Sequence, residues 1–150
     1  MPLKCQIITQ ERMLFDEDVD IVIAPGSEGE MGILPNHSPL IAALNYGELI
    51  VRRGAVEEAF AIGGGVLQVS HNKVVVLADS AEGAEEIDMA RAEQARRKAE
   101  QSMREGVPSD PAQSAALEAA IRRASLRLKV ARKHGQGGRR GTGPGPMDFE

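Results

Sequence analysis

A chain of 150 residues has room for one ordinary domain, or for one compact domain with an appendage that buries little by itself. With no Trp, one Tyr, three Phe and a net charge of −4, it lacks the stacking side chains and the positive balance of a general nucleic-acid binder. A single cysteine excludes an internal disulfide, and no apolar run approaches the ~20 residues of a membrane span; the expectation is a cytoplasmic protein with no signal segment, in which Cys5 is a small buried hydrophobe.

From the N-terminus to about Asp79 the chain is a series of short β-branched or apolar runs: KCQIIT, VDIVIA, GELIVRR, VEEAFAI, VLQVS and KVVVLA. In VDIVIA the two-residue period places Val19, Ile21 and Ile23 on one face and Asp20, Val22 and Ala24 on the other. Pro25-Gly26, Asn45-Tyr46-Gly47, Arg53-Gly54 and His71-Asn72 mark turns. Between Gly26 and Leu40 the stretch GSEGEMGILPNHSPL reads as a shaped loop, because its glycines permit unusual backbone angles while Pro35 and Pro39 withhold ladder donors. Gly63, Gly64 and Gly65 lack the Lys-Ser/Thr ending of a phosphate loop and run into a strand, so a bulge or tight turn is expected there. Many close-spaced strands without intervening helix predict an antiparallel sandwich or flattened barrel; a parallel sheet needs crossovers that this stretch does not supply.

After Asp79 the usage changes to Ala, Glu, Arg and Lys. Asp88 caps a predicted helix that runs to about Arg104, with Ala92, Ala95, Ala99 and Met103 along one side, and Gly106 and Pro108 end it. Asp110, Pro111 and Gln113 open a second helix whose Leu117, Ile121, Ala124, Leu128 and Ala131 form a narrow seam. The pair makes an α-helical hairpin whose alanine-rich seams bury little apolar area, so it is expected to be held marginally and to open or dock elsewhere. The fold class is thus α+β: a β-sandwich over 1–84, a helical hairpin over 85–134 and a flexible tail over 135–150. Charge divides along the same line: 5 Lys and Arg against 15 Asp and Glu up to Asp88, then 13 against 7 from Met89 onward. A basic segment of this kind seeks an acidic surface, a phosphate or a nucleotide, unless it serves only to attract the acidic half.

No catalytic or metal constellation stands out. Cys5 and His37 are the available nucleophile and base, His71 and His134 stand at turn or helix-end positions, and no CxxC, HxxxH or GxSxG spacing is present. A small hydrolase built on Cys5 or His37 is therefore the weaker alternative to a binding protein.

The loop at Gly26 to Leu40, the segment IGGGVLQV at Ile62 to Val69, VVVLAD at Val74 to Asp79 and IDMARA at Ile87 to Ala92, in that order, resemble the epsilon subunit of bacterial F-type ATP synthases over roughly Leu3 to His134. The resemblance implies a non-catalytic central-stalk subunit that couples the gamma subunit to the c-ring of a proton-translocating ATP synthase, peripheral on the cytoplasmic face of the plasma membrane and membrane-associated only through the complex. It implies that the loop, with Glu28, Glu30, Met31, Ile33 and His37, meets gamma or the c-ring; the structural alternative is that Ile33 and Leu34 close the end of the sandwich and His37 bonds a backbone carbonyl. It implies a regulatory ATP site, with Mg optional and no cofactor required, formed by Glu82, Asp88, Arg91, Arg123 and Arg127. Asp88 and Arg91 are neighbours on a first helical turn and Arg123 and Arg127 are an i, i+4 pair, although capping alone accounts for Asp88. It implies, finally, that the helices extend into the catalytic head, where Arg122, Arg123, Arg127, Lys129, Arg132 and Lys133 dock on an acidic segment of a β subunit and inhibit ATP hydrolysis. A free-standing ATP-sensing module is the alternative function.

Overall fold

The computed structural model describes residues 2–134, so the predicted tail over 135–150 lies outside the described residues. The chain divides into two units, the first ending at Ala84 and the second starting at Glu85.

The first unit contains eight strands: β1 (Leu3–Ile8), β2 (Met13–Val19), β3 (Ile21–Gly26), β4 (Gly29–Ile33), β5 (Leu40–Arg53), β6 (Val56–Ser70), β7 (Lys73–Ala78) and β8 (Ala81–Gly83). Their order in the sheet is β2-β1-β7-β6-β5-β3-β4, with β8 on β6. The sheet folds over into a sandwich and does not close, leaving β2 and β4 as its edges. Every pairing is antiparallel except one: β1 runs parallel to β7, the intervening strands β2 to β6 serving as the crossover.

Two strands are much longer than the local turn signals predicted. The turn expected at Asn45 to Gly47 is absent, because β5 continues through it. The bulge or turn expected at Gly63 to Gly65 is likewise replaced by uninterrupted strand, with β5–β6 register held from Leu40↔Val69 to Arg53↔Val56. What happens at the glycines is a change of neighbour: on its other edge β6 pairs β8 at Phe60 to Ile62 and β7 from Gly65 onward. The β7–β8 corner crosses directly over them, with Asp79 N–H donating to Gly64 O at 3.0 Å and Gly63 N–H to Ser80 O at 2.8 Å.

The fold forms because alternate residues of most strands are apolar and meet in one cluster, in which Leu3, Ile7, Val22, Leu49, Ile62, Leu67, Val74 and Val76 are all essentially inaccessible. Phe15 meets Phe60 edge-on, with ring centroids 5.7 Å apart. Cys5 belongs to this core, as expected; burial foremost, and the nearby Asp16 charge, push its thiol up to about 12, so the nucleophilic thiolate is suppressed at neutral pH. Beyond the core, β2 is tied to its neighbours by Lys4–Asp16 at 3.2 Å and by Arg53–Glu17. The Lys4 and Gln6 hydrogen bonds hold the Asp16 carboxyl below its ordinary value.

In the second unit, a 3-10 turn (Ala84–Glu86 spans the boundary) leads to α1 (Met89–Arg104) and α2 (Pro111–His134). Asp88 accepts a hydrogen bond from Arg91 N–H at 3.1 Å and Asp110 from Ala112 N–H at 2.9 Å, as their positions before the helices predict. Gly106, at φ 140°, stops α1. Ala92, Ala99, Ala124, Leu128 and Ala131 are buried, but Ala95 is exposed. The next residue, Arg96, is half-buried and donates to Glu93 one turn before it. Val130, off the predicted seam, is fully buried.

Candidate functional site: a contact face, an acidic hairpin and a basic helix pair

The segment read as one loop from Gly26 to Leu40 is in its first half a β-hairpin. Val22↔Ile33, Ala24↔Met31 and Gly26↔Gly29 pair across it, leaving Ser27 and Glu28 as the turn, and Ser27 N–H donates to Ala43 O at 2.9 Å. Glu28 and Glu30 project as an exposed acidic rim, and Met31 lies half-buried against the core. The hairpin and the start of β5 enclose a cleft of about 520 Å³ with Met31, Leu40 and Ile41 in its lining. Ile33 corrects the expectation of an exposed contact residue: its pairing opposite Val22 turns it inward, and it is 1% exposed. The neighbouring Leu34 is instead 56% exposed. His37 is half-buried with its Nδ1 2.7 Å from the Ser38 carbonyl oxygen, the backbone bond that its structural alternative anticipated. With Cys5 inaccessible and His37 so engaged, these two side chains do not form a nucleophile and base pair.

A second surface was not read from the sequence. Register aligns Met13 with Ile8, Ile8 with Leu77, Leu77 with Val66 and Val66 with Ala43, so one row of apolar side chains crosses five strands on the outer face. Met13, Leu77 and Val66 are 49%, 50% and 41% exposed, and Ile41, two residues from Ala43 on the same face, is 72% exposed. Ile41 and Ala43 also line the cleft, so the row runs without a break to the acidic hairpin. Scattered exposed apolar residues are ordinary; an aligned row of them across a sheet is less so. The available signal was the alternation of Ile41 with Ala43 and of Val75 with Leu77, but β2 and the full length of β5 were needed to align them.

The predicted nucleotide residues lie on three elements. Glu82 is half-buried on β8, paired opposite Ala61. Asp88 and Arg91 meet at the start of α1 through the cap bond, which engages one carboxylate oxygen. Arg123, exposed, and Arg127, half-buried, lie one turn apart on α2. Of the predicted docking cations, Arg122, Lys129 and Lys133 are exposed like Arg123, while Arg132 reaches Glu93 of α1 at 3.6 Å. Glu93 also accepts from Arg96 at 2.5 Å and lies 3.6 Å from Arg97, so one carboxylate links the two helices and gathers three cations. This hub was not anticipated. Among the described residues no cluster of His, Cys, Asp and Glu has the grouping of a metal site, and no helix is long and apolar enough to cross a membrane.

Comparison with known proteins bears on both units. Residues 2–84 match the family model for the β-sandwich domain of the ATP synthase delta/epsilon chain, and residues 85–132 match that for its long α-helix domain. The ATP synthase epsilon chain of Dehalococcoides mccartyi is 54% identical over 138 residues, covering 89% of this chain and 97% of that protein. That of Herpetosiphon aurantiacus is 48% identical over 132 residues, covering 88% and 96%. A chain in the cryo-EM structure of the OSCP, F1 and c-ring assembly of Euglena gracilis mitochondrial ATP synthase superimposes with a TM-score of 0.72 at 25% identity, over 87% of this chain and 81% of that one. A chain in the central stalk and c-ring structure from Tetrahymena thermophila shares the fold, with a TM-score of 0.63 at 15% identity over 87% and 97%. The sandwich, the helix pair and the near-complete coverage of its relatives agree: the chain belongs to the ATP synthase epsilon-chain family.

Proposed function

We propose that this epsilon-family chain works as a rotor subunit of a proton-translocating ATP synthase, fastening gamma to the c-ring at the cytoplasmic face of the membrane through its sandwich and restraining ATP hydrolysis through its helices. The observation that carries the coupling role is the apolar row from Met13 to Ala43, continuous with the acidic hairpin at Glu28 and Glu30. Torque transmission needs a stiff part with two adjoining contacts, and a sheet whose core excludes water supplies the stiffness. In this reading the broad row receives gamma, while the hairpin and the Leu34 to Ser38 loop face the c-ring. Its test is co-purification of gamma and c-ring with the tagged chain. A Val66→Asp/Leu77→Asp double variant, which places two charges on an apolar contact, should abolish recovery of gamma while the isolated chain stays folded; undiminished recovery would remove the row from the interface.

Regulation is assigned to α1 and α2. Folded together they leave the catalytic head free; extended, they carry their cations to an acidic segment of a β subunit. ATP, with or without Mg, favours the folded form through Glu82, Asp88, Arg91, Arg123 and Arg127. The i, i+4 arginines supply two guanidinium forks for a polyphosphate, and the Asp88 cap sets the first turn on which Arg91 stands. Titration of the isolated chain with ATP in a calorimeter should show saturable heat that an Arg123→Ala/Arg127→Ala variant loses. Absence of heat at millimolar ATP would leave the arginines to the docking role alone.

A further inference from the structure

The loop from Leu34 to Pro39 carries two prolines, Pro35 and Pro39, and no strand, yet its backbone is fixed from a distance. Asn72, in the two-residue turn between β6 and β7, accepts a hydrogen bond from Asn36 N–H through Oδ1 at 2.8 Å and donates through Nδ2 to the Pro2 carbonyl at 2.9 Å. Its own carbonyl accepts from Lys4 N–H at 3.1 Å. Because one partner is a donor and the other an acceptor, the two ends of the carboxamide are distinguished by chemistry. His71 and Asn72 have φ values of 49° and 59°, the paired left-handed geometry of a tight two-residue hairpin, which asparagine tolerates better than most residues. Asn36 also has a positive φ, 67°, so the loop holds an uncommon backbone conformation at the point where Asn72 grips it. Next to that point stand Leu34, 56% exposed, and His37.

We propose that Asn72 is the positioning residue of the contact loop: its carboxamide ties the loop, the β6–β7 turn and the N-terminal strand into one preformed docking end, so that Leu34 and His37 meet the partner already in place. The proposal rests on the reading of this loop as a rotor contact. Ordering a loop before association removes an entropy cost from binding, so the clamp acts on affinity more than on the global stability of the sandwich. The Asn72 side chain joins its own turn to two segments far away in the chain, at Asn36 and at Pro2, which is how a supporting residue holds a binding loop on a rigid scaffold.

The test uses the full-length chain and a purified gamma–c-ring assembly. Asn72→Gly keeps the left-handed turn and removes both side-chain bonds; amide exchange at Asn36 should accelerate about tenfold or more, and affinity for the assembly should fall about tenfold, with the urea midpoint little changed. Asn72→Asp keeps an acceptor for Asn36 N–H but sets a carboxylate oxygen against the Pro2 carbonyl, and should recover the Asn36 protection and only part of the affinity. Unchanged exchange at Asn36 in Asn72→Gly, or an Asn72→Asp variant that behaves like the glycine, overturns the proposal. So does wild-type affinity of Asn72→Gly when Leu34→Asp abolishes binding. If Leu34→Asp binds as tightly as the native chain, the loop is not a contact at all, and the rotor reading of this loop fails together with the proposal.

Discussion

Deletion of residues 89–150 is expected to raise ATP hydrolysis by the assembled synthase, leaving assembly and proton coupling largely intact. The first half of the expectation follows from the proposed inhibitory role of the helices. The second follows from where the core lies: the buried cluster of the sandwich draws on residues from Leu3 to Ala78, with Ala81 packed against it, and on nothing from the helices. Removing them takes away no member of that core, so the contact surfaces survive. A conformational coupling of ~1–3 kcal/mol corresponds to roughly 5- to 150-fold, and the gain in hydrolysis should fall inside that window. Inhibition by the intact chain should weaken as salt rises, because Arg122, Arg123, Lys129 and Lys133 are exposed and screened. In the folded hairpin Arg132 sits near Glu93, so in this scheme opening the helices frees its charge for the partner. A truncated chain that co-purifies with gamma yet leaves hydrolysis unchanged would separate this chain from the inhibitory role.

Much of the architecture was legible because local chemistry and final structure agree. β1 alternates apolar and polar residues, β3 and β7 are short β-branched runs of strand length, and the helices start at capping aspartates and α1 stops at a glycine. The failures have a common cause. Asn45-Tyr46-Gly47 and Gly63-Gly64-Gly65 carry turn chemistry, but β5 and β6 hold an unbroken register across them, and tertiary pairing overrides weak local preference. β2 is obscure in sequence because MLFDEDV buries only Phe15 and Val19, with Leu14 partly buried against the core, while its acidic residues face solvent along an edge strand. The hairpin at Gly26 to Ile33 hid behind its glycines, and with it the inward turn of Ile33. Local features adjacent in sequence were legible, namely the Asp88 cap on Arg91 N–H and the exposed acidic pair Glu28 and Glu30. The apolar row and the Asn72 clamp were not, since the row needs the register of five strands and the clamp joins residues 36 and 70 positions apart.

The largest single-residue loss of stability is expected at Gly65, which separates close approach from conformational preference. A Cβ there would stand 2.2 Å from Leu77 O and 2.8 Å from Ala78 Cα, at a φ of +136° that side chains rarely adopt. Both obstacles are backbone of β7, the strand paired opposite, and neither can turn aside as a side-chain tip would. Gly65→Ala therefore has to prise β6 from β7 at the corner held by the Asp79–Gly64 and Ser80–Gly63 bonds. A cost of more than ~3 kcal/mol follows, a large part of the ~5–15 kcal/mol that holds a domain together. Gly54 is the control: its φ is +59° but nothing lies within 4 Å of its added Cβ, so Gly54→Ala bears only the conformational penalty, about 1 kcal/mol. Urea unfolding of the two variants should differ by at least ~2 kcal/mol at equal m-value, and equal losses would show that backbone angle alone fixes these glycines. Because Leu77 stands in the middle of the apolar row and its carbonyl is the atom displaced, Gly65→Ala should also weaken recovery of gamma under conditions where the chain remains folded, which Gly54→Ala should not do.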